Sequence, residues 1–497
     1  MRNIFSGIST ILAVCTLLAA APTSAAPGDL DITFGAGSGK VITTIGTSQD
    51  RGRAIALQPD GKIVVAGYCV NGINYEFCLA RYQFNGALDT DFGSGGTVIS
   101  PFDSSDGLAW AIALQPDGKI VVAGACYNST NGDFCLARYQ ASGALDTGFG
   151  SGGKVISPIG SGHDAAYAVA LQPDGKIVLA GGCRNGSGYV FCLARYQVNG
   201  ALDTSFGSDG KLINPNGSDD DRAWAIALQP DGKIVVAGSC KNGSNFDFCL
   251  ARYQANGALD SGFGSGGTVI SPIGSYNDFG QAIALQPDGK IVAAGSCENG
   301  SKNDFCLARY QANGALDSGF GSGGKIISPI SSSTDFGAAI ALQPDGKIVV
   351  AGSCAGVSSY DFCLARYQAN GALDTSFGSG GKVISPIGSS TDYDGAIALQ
   401  PDGKIVVAGS CDNGSDYDFC LARFEGGPFG YRNCTMDIDG DGVVLATTDA
   451  LLLARTSLGM TGSAVINGIS FASHATRKTW PDIRNYLITQ CGMTLAP

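Results

Sequence analysis

Three kinds of residue in this sequence have types and spacings suited to chemistry. The first is an acidic run, "MDIDGDGVVLATTD", beginning at Met436. Asp437, Asp439 and Asp441 alternate, Gly442 follows, and Val443 offers its backbone carbonyl. Alternate carboxylates converge on one hard cation, and a glycine in the sixth place allows the sharp turn of a calcium loop. Leu445 stands in the ninth place, where an oxygen ligand is usual, and Thr448 in the twelfth, with an acid one residue later at Asp449. The expectation is a Ca2+ site formed by Asp437, Asp439, Asp441, the Val443 carbonyl and Asp449. The plainer alternative is a solvated acidic turn.

The second kind is cysteine. There are 17, and Cys15 lies in an apolar N-terminal stretch. Fourteen of the others fall in pairs at C-x8-C spacing: Cys69–Cys78, Cys126–Cys135, Cys183–Cys192, Cys240–Cys249, Cys297–Cys306, Cys354–Cys363 and Cys411–Cys420. Cys434–Cys491 makes an eighth pair that brackets the C-terminal region. Thiolate metal sites fit poorly, because the chain has only 2 His and no C-x-x-C spacing. Eight disulfides are expected, on facing positions of adjacent antiparallel strands.

The third kind is aromatic. Four residues before a recurring Leu the chain reads Arg53, Trp110, Tyr167, Trp224, Gln281, Ala338 and Gly395. Two of the 3 Trp stand in this series. Arg53, Trp110, Tyr167 and Trp224 would form an arc able to hold a sugar or peptide ligand. The rival reading is that the rings plug a channel or pack between sheets.

The elements that position these residues come from a repeat. "LQPDGKIVVAG" recurs, with small changes, from Leu57, Leu114, Leu171, Leu228, Leu285, Leu342 and Leu399, 57 residues apart. Each copy reads as four strands: "AIALQ", a "PDG" turn, "KIVVAG", a polar loop, "FCLARYQ", a long glycine turn and "KVIS" before a proline. Pro158 cannot donate to a ladder, so the fourth strand should be an edge. Strands apolar on both faces, as with Ile120 and Val122 against Val121 and Ala123, fit sheets stacked face to face. Residues 28–45 are a stray last half-repeat, and the seventh copy stops at Phe424 without its fourth strand. Those counts close a ring. The fold class is therefore all-β: a seven-bladed β-propeller over 27–426, closed by an N-terminal strand, plus a small helical module over 427–497. That module should hold helices at "DALLLARTSL" and "TWPDIRNYLITQC".

Two further charged series accompany the repeat. Arg81 and its copies recur with Asp89 and its copies, which reads as a buried pair pinning a turn rather than a ring of open charge. Asp50, Asp164, Asp221, Asp278, Asp335 and Asp392, with Asp106 one residue out of step, read as caps on the start of the first strand rather than as cation ligands.

The segments "GALDTSFGSGGKVISPIG", "AIALQPDGKIVVAGSC" and "DFCLARYQ" resemble the delta-60 repeat family of bacterial β-propellers, over roughly residues 28–424. The resemblance implies a propeller and brings no catalytic residues. Paired cysteines are not a general part of that pattern. The acidic run resembles a dockerin-type, EF-hand-like calcium repeat, present here as one loop without a second copy.

A net charge of −12 argues against nucleic acid or an anionic membrane surface as partner. Arg2, the apolar run "GISTILAVCTLLAAA" and small residues near Ala25 read as a secretory signal over residues 1–26, with no other membrane span. The chain is expected to be secreted, periplasmic or cell-surface, and monomeric. His163 and His474 lie in no catalytic motif, and each loop acid has near-copies in other repeats. The expected function is non-enzymatic binding or adhesion, with a glycan or protein on the face where the loops vary. The alternatives are a polysaccharide lyase or hydrolase, and a purely structural surface protein.

Overall fold

A computed structural model describes residues 25–102, 106–128, 131–186, 188–214, 220–356 and 359–427. Towards the C-terminus it describes 438, 448, 452, 455, 463–471 and 476–489.

One repeat shows how the sequence makes a blade. The innermost strand, Asp50–Leu57, turns through "QPDGK" into a second strand, Ile63–Asn71. Gly61 takes φ +85°, which a side chain would resist, and the Asp60 carboxylate accepts the Lys62 N–H at 3.2 Å. A short loop leads to the third strand, Asn74–Tyr82, and a long turn to the outer strand, Thr97–Ser100. All described sheets are four-stranded, antiparallel and meandering, and there are seven of them. In the second blade the outer strand is Lys154–Ser157, an edge that ends just before Pro158.

The seventh blade takes its outer strand from the other end of the chain. Lys40–Thr43 pairs with Tyr417–Phe424, with Lys40 opposite Ala422 and Ile42 opposite Cys420. The seven-bladed propeller closed by an N-terminal strand is thus the observed architecture.

Seven apolar clusters fill the gaps between blades. Ile120 and Val122 join Val64, Ala66, Phe77 and Leu79 of the blade before. Val121 and Ala123 join Ile177 and Leu179 of the blade after. Each sheet is therefore buried on both faces. Each such aliphatic side chain contributes on the order of 1.5–3 kcal/mol.

Polar links cross the same gaps. Arg81 Nε donates to Asp89 Oδ2 at 2.6 Å within its blade, and its Nη1 donates to the Ala141 carbonyl of the next at 2.5 Å. Its guanidinium also lies 4.5 Å from the centre of the Phe92 ring. Arg138, Arg195, Arg252 and Arg309 repeat the carbonyl link, to Val198, Ala255, Ala312 and Ala369, each at 2.5 Å. Arg366 donates to the Gly426 carbonyl, and Arg423 to that of Phe84. Arg423 pairs with Asp31 at 2.6 Å and so ties both ends of the propeller together. The buried-pair reading holds, and the reach into the next blade was not foreseen.

The seven C-x8-C pairs are disulfides, with Cα–Cα distances of 5.7 or 5.8 Å. They do not join facing positions. Cys69 stands opposite Glu76, and Cys78 opposite Gly67, so each bridge runs diagonally across the second and third strands. The hairpin register sets that stagger: Tyr68 and Phe77, also nine residues apart, face each other, and each cysteine stands one position further along the chain. Closing so short a loop contributes about 2–3 kcal/mol on the chain-entropy account.

Near the C-terminus, Ser463–Ile466 and Trp480–Thr489 are helices. Thr479 Oγ1 accepts the Asp482 N–H at 3.4 Å and caps the second helix. Ile438, Leu452, Val465, Ile483 and Leu487 form a small buried cluster. In "DALLLARTSL", Leu452 donates one helical hydrogen bond to the Thr448 carbonyl at 2.8 Å. Asp437, Asp439, Asp441, Val443, Asp449, Cys434, Cys491 and nearly all of the N-terminal apolar stretch lie outside the described residues. No described helix is long and apolar enough to cross a membrane.

Removing one partner of the closing pair strands a buried charge. Asp31→Ala should lower unfolding free energy by about 3–5 kcal/mol, read from denaturant midpoints. Replacing Asp31 and Arg423 together by apolar residues should cost less than the single change. A single change within experimental error of wild type contradicts this account.

Candidate functional site

The series Arg53, Trp110, Tyr167, Trp224, Gln281, Ala338 and Gly395 shares one backbone feature. In the first blade Gly52 pairs with Gly67 and Ala54 with Ala66, which leaves Arg53 without a partner. The same shift leaves Trp110, Tyr167, Trp224, Gln281, Ala338 and Gly395 unpaired. Each is the extra residue of a β-bulge, a device that re-aims a side chain. The glycine of "VVAG" is its counterpart. A Cβ on Gly67 would come 1.8 Å from the Arg51 carbonyl oxygen, and one on Gly124 would come 1.9 Å from that of Leu108.

The bulges aim all seven residues into the mouth of the central channel, on the face where the loops vary. The shaft beneath is lined by pairs such as Ala54–Ile55 and Ala111–Ile112. The predicted arc forms. Trp110 and Tyr167 meet with ring centres 5.9 Å apart, and Tyr167 and Trp224 at 4.3 Å. Arg53 lies 4.8 Å from the Trp110 ring centre and donates to the Tyr68 hydroxyl at 3.0 Å. At the bulges of the opposite side stand Gln281, Ala338 and Gly395, and the mouth opens as a cavity of about 640 Å³ beside the aromatic arc. All four arc residues are half-buried, neither sealed in the core nor free in solvent. Burial pushes the Tyr167 phenol up to about 12.

Sequence reasoning missed a second tier. Arg51, Tyr68, Tyr75, Phe336 and Tyr393 also line the cavity. The Arg51 guanidinium lies 3.7 Å from the Tyr417 ring centre, across the last gap between blades. Phe246 and Phe279 stack at 5.7 Å and Tyr360 and Tyr393 at 5.9 Å across other gaps. The signal was present two residues before the bulge and just before the "D-F-C" of the third strand, where aromatic and Arg residues recur.

Each of the seven repeats matches one family, "Domain of unknown function (DUF5122) beta-propeller", over residues 58–92, 115–149, 172–206, 229–263, 286–320, 343–377 and 400–426. The propeller is built of DUF5122 repeats. The matched segments stop short of every bulge residue. No curated protein matches the chain. Among solved structures, a catalytically inactive virginiamycin B lyase from Staphylococcus aureus with quinupristin is 12% identical, with TM-score 0.46, covering 77% of this chain and 99% of that one. A PL25 ulvan lyase bound to -[GlcA(1-4)Rha3S]- is 13% identical, with TM-score 0.43, covering 76% and 95%. Drosophila Plexin A in complex with Semaphorin 1b is 10% identical, with TM-score 0.41, covering 80% and 88%.

Behind the mouth, the DUF5122 propeller holds the aspartate series as caps. Asp50 Oδ2 accepts the Ile45 N–H at 2.6 Å, and Asp278 and Asp392 accept Ile273 and Ile387 likewise. Asp164 and Asp335 do the same for Ile159 and Ile330. Asp106 has another task. Its carboxylate accepts the Tyr75 N–H of the preceding blade at 2.8 Å, as His163 Nδ1 accepts Gly132 at 2.9 Å and Asn277 accepts Phe246 at 3.1 Å. His163, which lies in no catalytic motif, is thus a strap between blades.

Burial pushes the carboxyls of Asp50, Asp278 and Asp392 up from 3.8 to about 6, against the pull of those N–H groups. The like charges of Asp418, Asp247 and Asp361 on the neighbouring strands add to the rise. Burial raises Asp203 too, but Ser205, Arg195 and Lys176 outweigh it and hold the group at about 2. The signs are opposite. The raised groups bind extra protons when folded, so their contribution is present below 3.8 and lost as pH rises through about 6. The Asp203 contribution is present above 3.8 and lost as pH falls through about 2. Thermal melting should therefore peak near pH ~4, where both contributions are in place, and lie lower at neutrality. Asp278→Asn should flatten the alkaline side of that profile, and a melting temperature that climbs steadily to pH 7 contradicts the assignment.

Proposed function

We propose that the protein is a non-enzymatic binding propeller that holds a saccharide at its channel mouth and works outside the cytosol. The observation that carries this reading is the unequal filling of seven equivalent bulges. A scaffold that needed only packing there would fill them alike. Here three large rings and an arginine fill four of the bulges, and Gln281, Ala338 and Gly395 at the other three leave a walled cavity. Its size falls in the range of small-ligand sites. Aromatic rings that are half-buried and held by their neighbours offer apolar faces at low entropic cost.

The rival reading, a polysaccharide lyase or hydrolase, calls for a proton donor and acceptor poised near neutrality. Among the described residues, the side chains that line the cavity are Arg, Gln, Ser, aromatic and aliphatic groups, without carboxylate, imidazole or thiol. Seven disulfides support maturation in an oxidising compartment.

On an array of glycans and peptides, the full chain should bind a saccharide class, and the double variant Trp110→Ala/Trp224→Ala should lose at least about 2 kcal/mol of that binding, over tenfold in Kd. Undiminished binding in the double variant removes the mouth as the site. Turnover of a bound polysaccharide promotes the enzymatic reading.

The C-terminal loop is proposed to hold Ca2+ through Asp437, Asp439, Asp441, the Val443 carbonyl and Asp449. It serves as a stabilising appendage to the binding domain. Calcium should raise the melting temperature of the region after residue 427, with Asp439→Ala abolishing the rise. Indifference of the wild-type chain to calcium and chelator rules the loop out as a metal site.

A further inference from the structure

The charge at the mouth runs against the charge of the chain. The protein carries −12 overall, yet the described residues that line the cavity include Arg51 and Arg53 and no acid. The arginine that recurs in the third strand of every blade is, by contrast, neutralised each time. Each of Arg81, Arg138, Arg195, Arg252, Arg309, Arg366 and Arg423 is paired with an aspartate. Among the described residues, no carboxylate forms an ion pair with Arg51 or Arg53. Their partners are neutral: Gln49 and the Tyr417 ring for Arg51, the Tyr68 hydroxyl and the Trp110 ring for Arg53. Arg53 Nε is buried with no hydrogen-bond partner. A guanidinium keeps its charge at any physiological pH and presents a fork that matches a carboxylate or sulfate. Two such forks, half-buried among aromatic rings, lack only the anion.

We infer that the mouth takes an anionic saccharide, with a carboxylate or sulfate facing Arg51 and Arg53 and a sugar ring against Trp110, Tyr167 and Trp224. This rests on the saccharide reading above and narrows it to one chemical class. An acidic peptide would answer the charge but not the shape. Peptides dock along open sheet edges or grooves. The mouth is a pit enclosed by seven blades, which admits a compact unit or a chain end. Its wall of ring faces suits the flat C–H face of a pyranose.

The test is calorimetric titration of the full chain with four probes: oligogalacturonate, a sulfated galactan oligosaccharide, its unsulfated counterpart and a poly-glutamate peptide. One or both acidic saccharides should bind at least about tenfold tighter than the neutral one, with an advantage that shrinks as salt rises. The carboxylate and sulfate probes separate the two sources of charge. Arg51→Gln and Arg53→Gln should each cut the advantage, and the double variant should erase it while residual neutral binding persists. Arg53→Lys should restore part of it. If Arg53→Gln melts early, Arg51→Gln carries the test, since its side chain sits on the outer tier. Equal affinity for acidic and neutral sugars, or an advantage that survives the double variant, overturns the inference and leaves the saccharide reading standing. Binding of no sugar, with or without capture of the peptide, overturns both.

Discussion

The structure depends on one buried arginine repeated seven times. Each links an aspartate in its own blade, a phenylalanine ring and a backbone carbonyl in the next blade. Such a charge is tolerable in the interior only when all its partners are in place, since the desolvation cost of an unpaired guanidinium is several kcal/mol. The demand fixes the period. The carbonyl lies 60 residues beyond its arginine in blade after blade, so an inserted residue in the intervening turns would pull the acceptor away. It fixes closure as well. Arg423 finds its aspartate in Asp31 and its carbonyl in Phe84, so the last link exists only if the N-terminal strand has come home. The aliphatic clusters supply most of the burial, but they are non-directional. The arginines set the angle and the count.

Against that uniform frame the channel mouth stands out by its inequality. Seven bulges present seven side chains to one small ring, and the frame neither needs nor punishes any particular choice there. Trp110 meets Tyr167 edge to face, and Tyr167 lies tilted at 35° against Trp224, so each ring is braced by its neighbour. Gln281, Ala338 and Gly395 leave room opposite. A cavity made by omission on one side and bulk on the other is already organised before a ligand arrives. Its binding therefore loses little to reordering. Arg51 and Arg53 sit on the first blade, beside the one that closes the ring, which places the charge at the end of the wall.

Most of the fold was legible in the sequence, because the repeat counts its own strands. The stray half-repeat ending near Ile45 and the truncated copy ending at Phe424 said that the ring closes by exchange of one strand. The alternation of Ile120, Val121, Val122 and Ala123 said that both faces are buried. What the repeat could not show was any contact between copies. The link from Arg81 to Ala141 joins residues whose relation depends on how blades tilt, and a sequence read blade by blade has no access to it. The diagonal of each disulfide was hidden for a similar reason: spacing gives the loop length, while register is set by the hairpin. The bulge was legible in principle. A glycine at Gly67 inside an apolar strand marks a close backbone approach, and every copy keeps it. Reading it as a plain strand residue left the aim of Arg53 correct by position but unexplained by cause. The outer tier of Arg51, Tyr75, Tyr393 and Tyr417 was missed because its members come from two strands of different blades.

The disulfides bear on how such a mouth can be specialised at all. Each one clamps the second and third strands at the base of a loop whose tip is free, as at Ile73, which is 94% exposed. The resembled repeat pattern does without these cysteines, and a propeller of this kind closes through its arginines and aliphatic clusters in any case. Their added effect is local. A loop sprung from a fixed base can change its composition without loosening the strands that carry Glu76, Asp133 or Asp418 into the gaps between blades. Those strands in turn hold Tyr75 at the mouth, and Phe246, Tyr360 and Tyr417 against Phe279, Tyr393 and Arg51 of the next blade. Variation at the rim and constancy of the frame are thus separated by a covalent boundary. A chain of near-identical copies can then place different side chains around a single opening, and the disulfide at each loop base lets one copy diverge without disturbing the six that must stay in step.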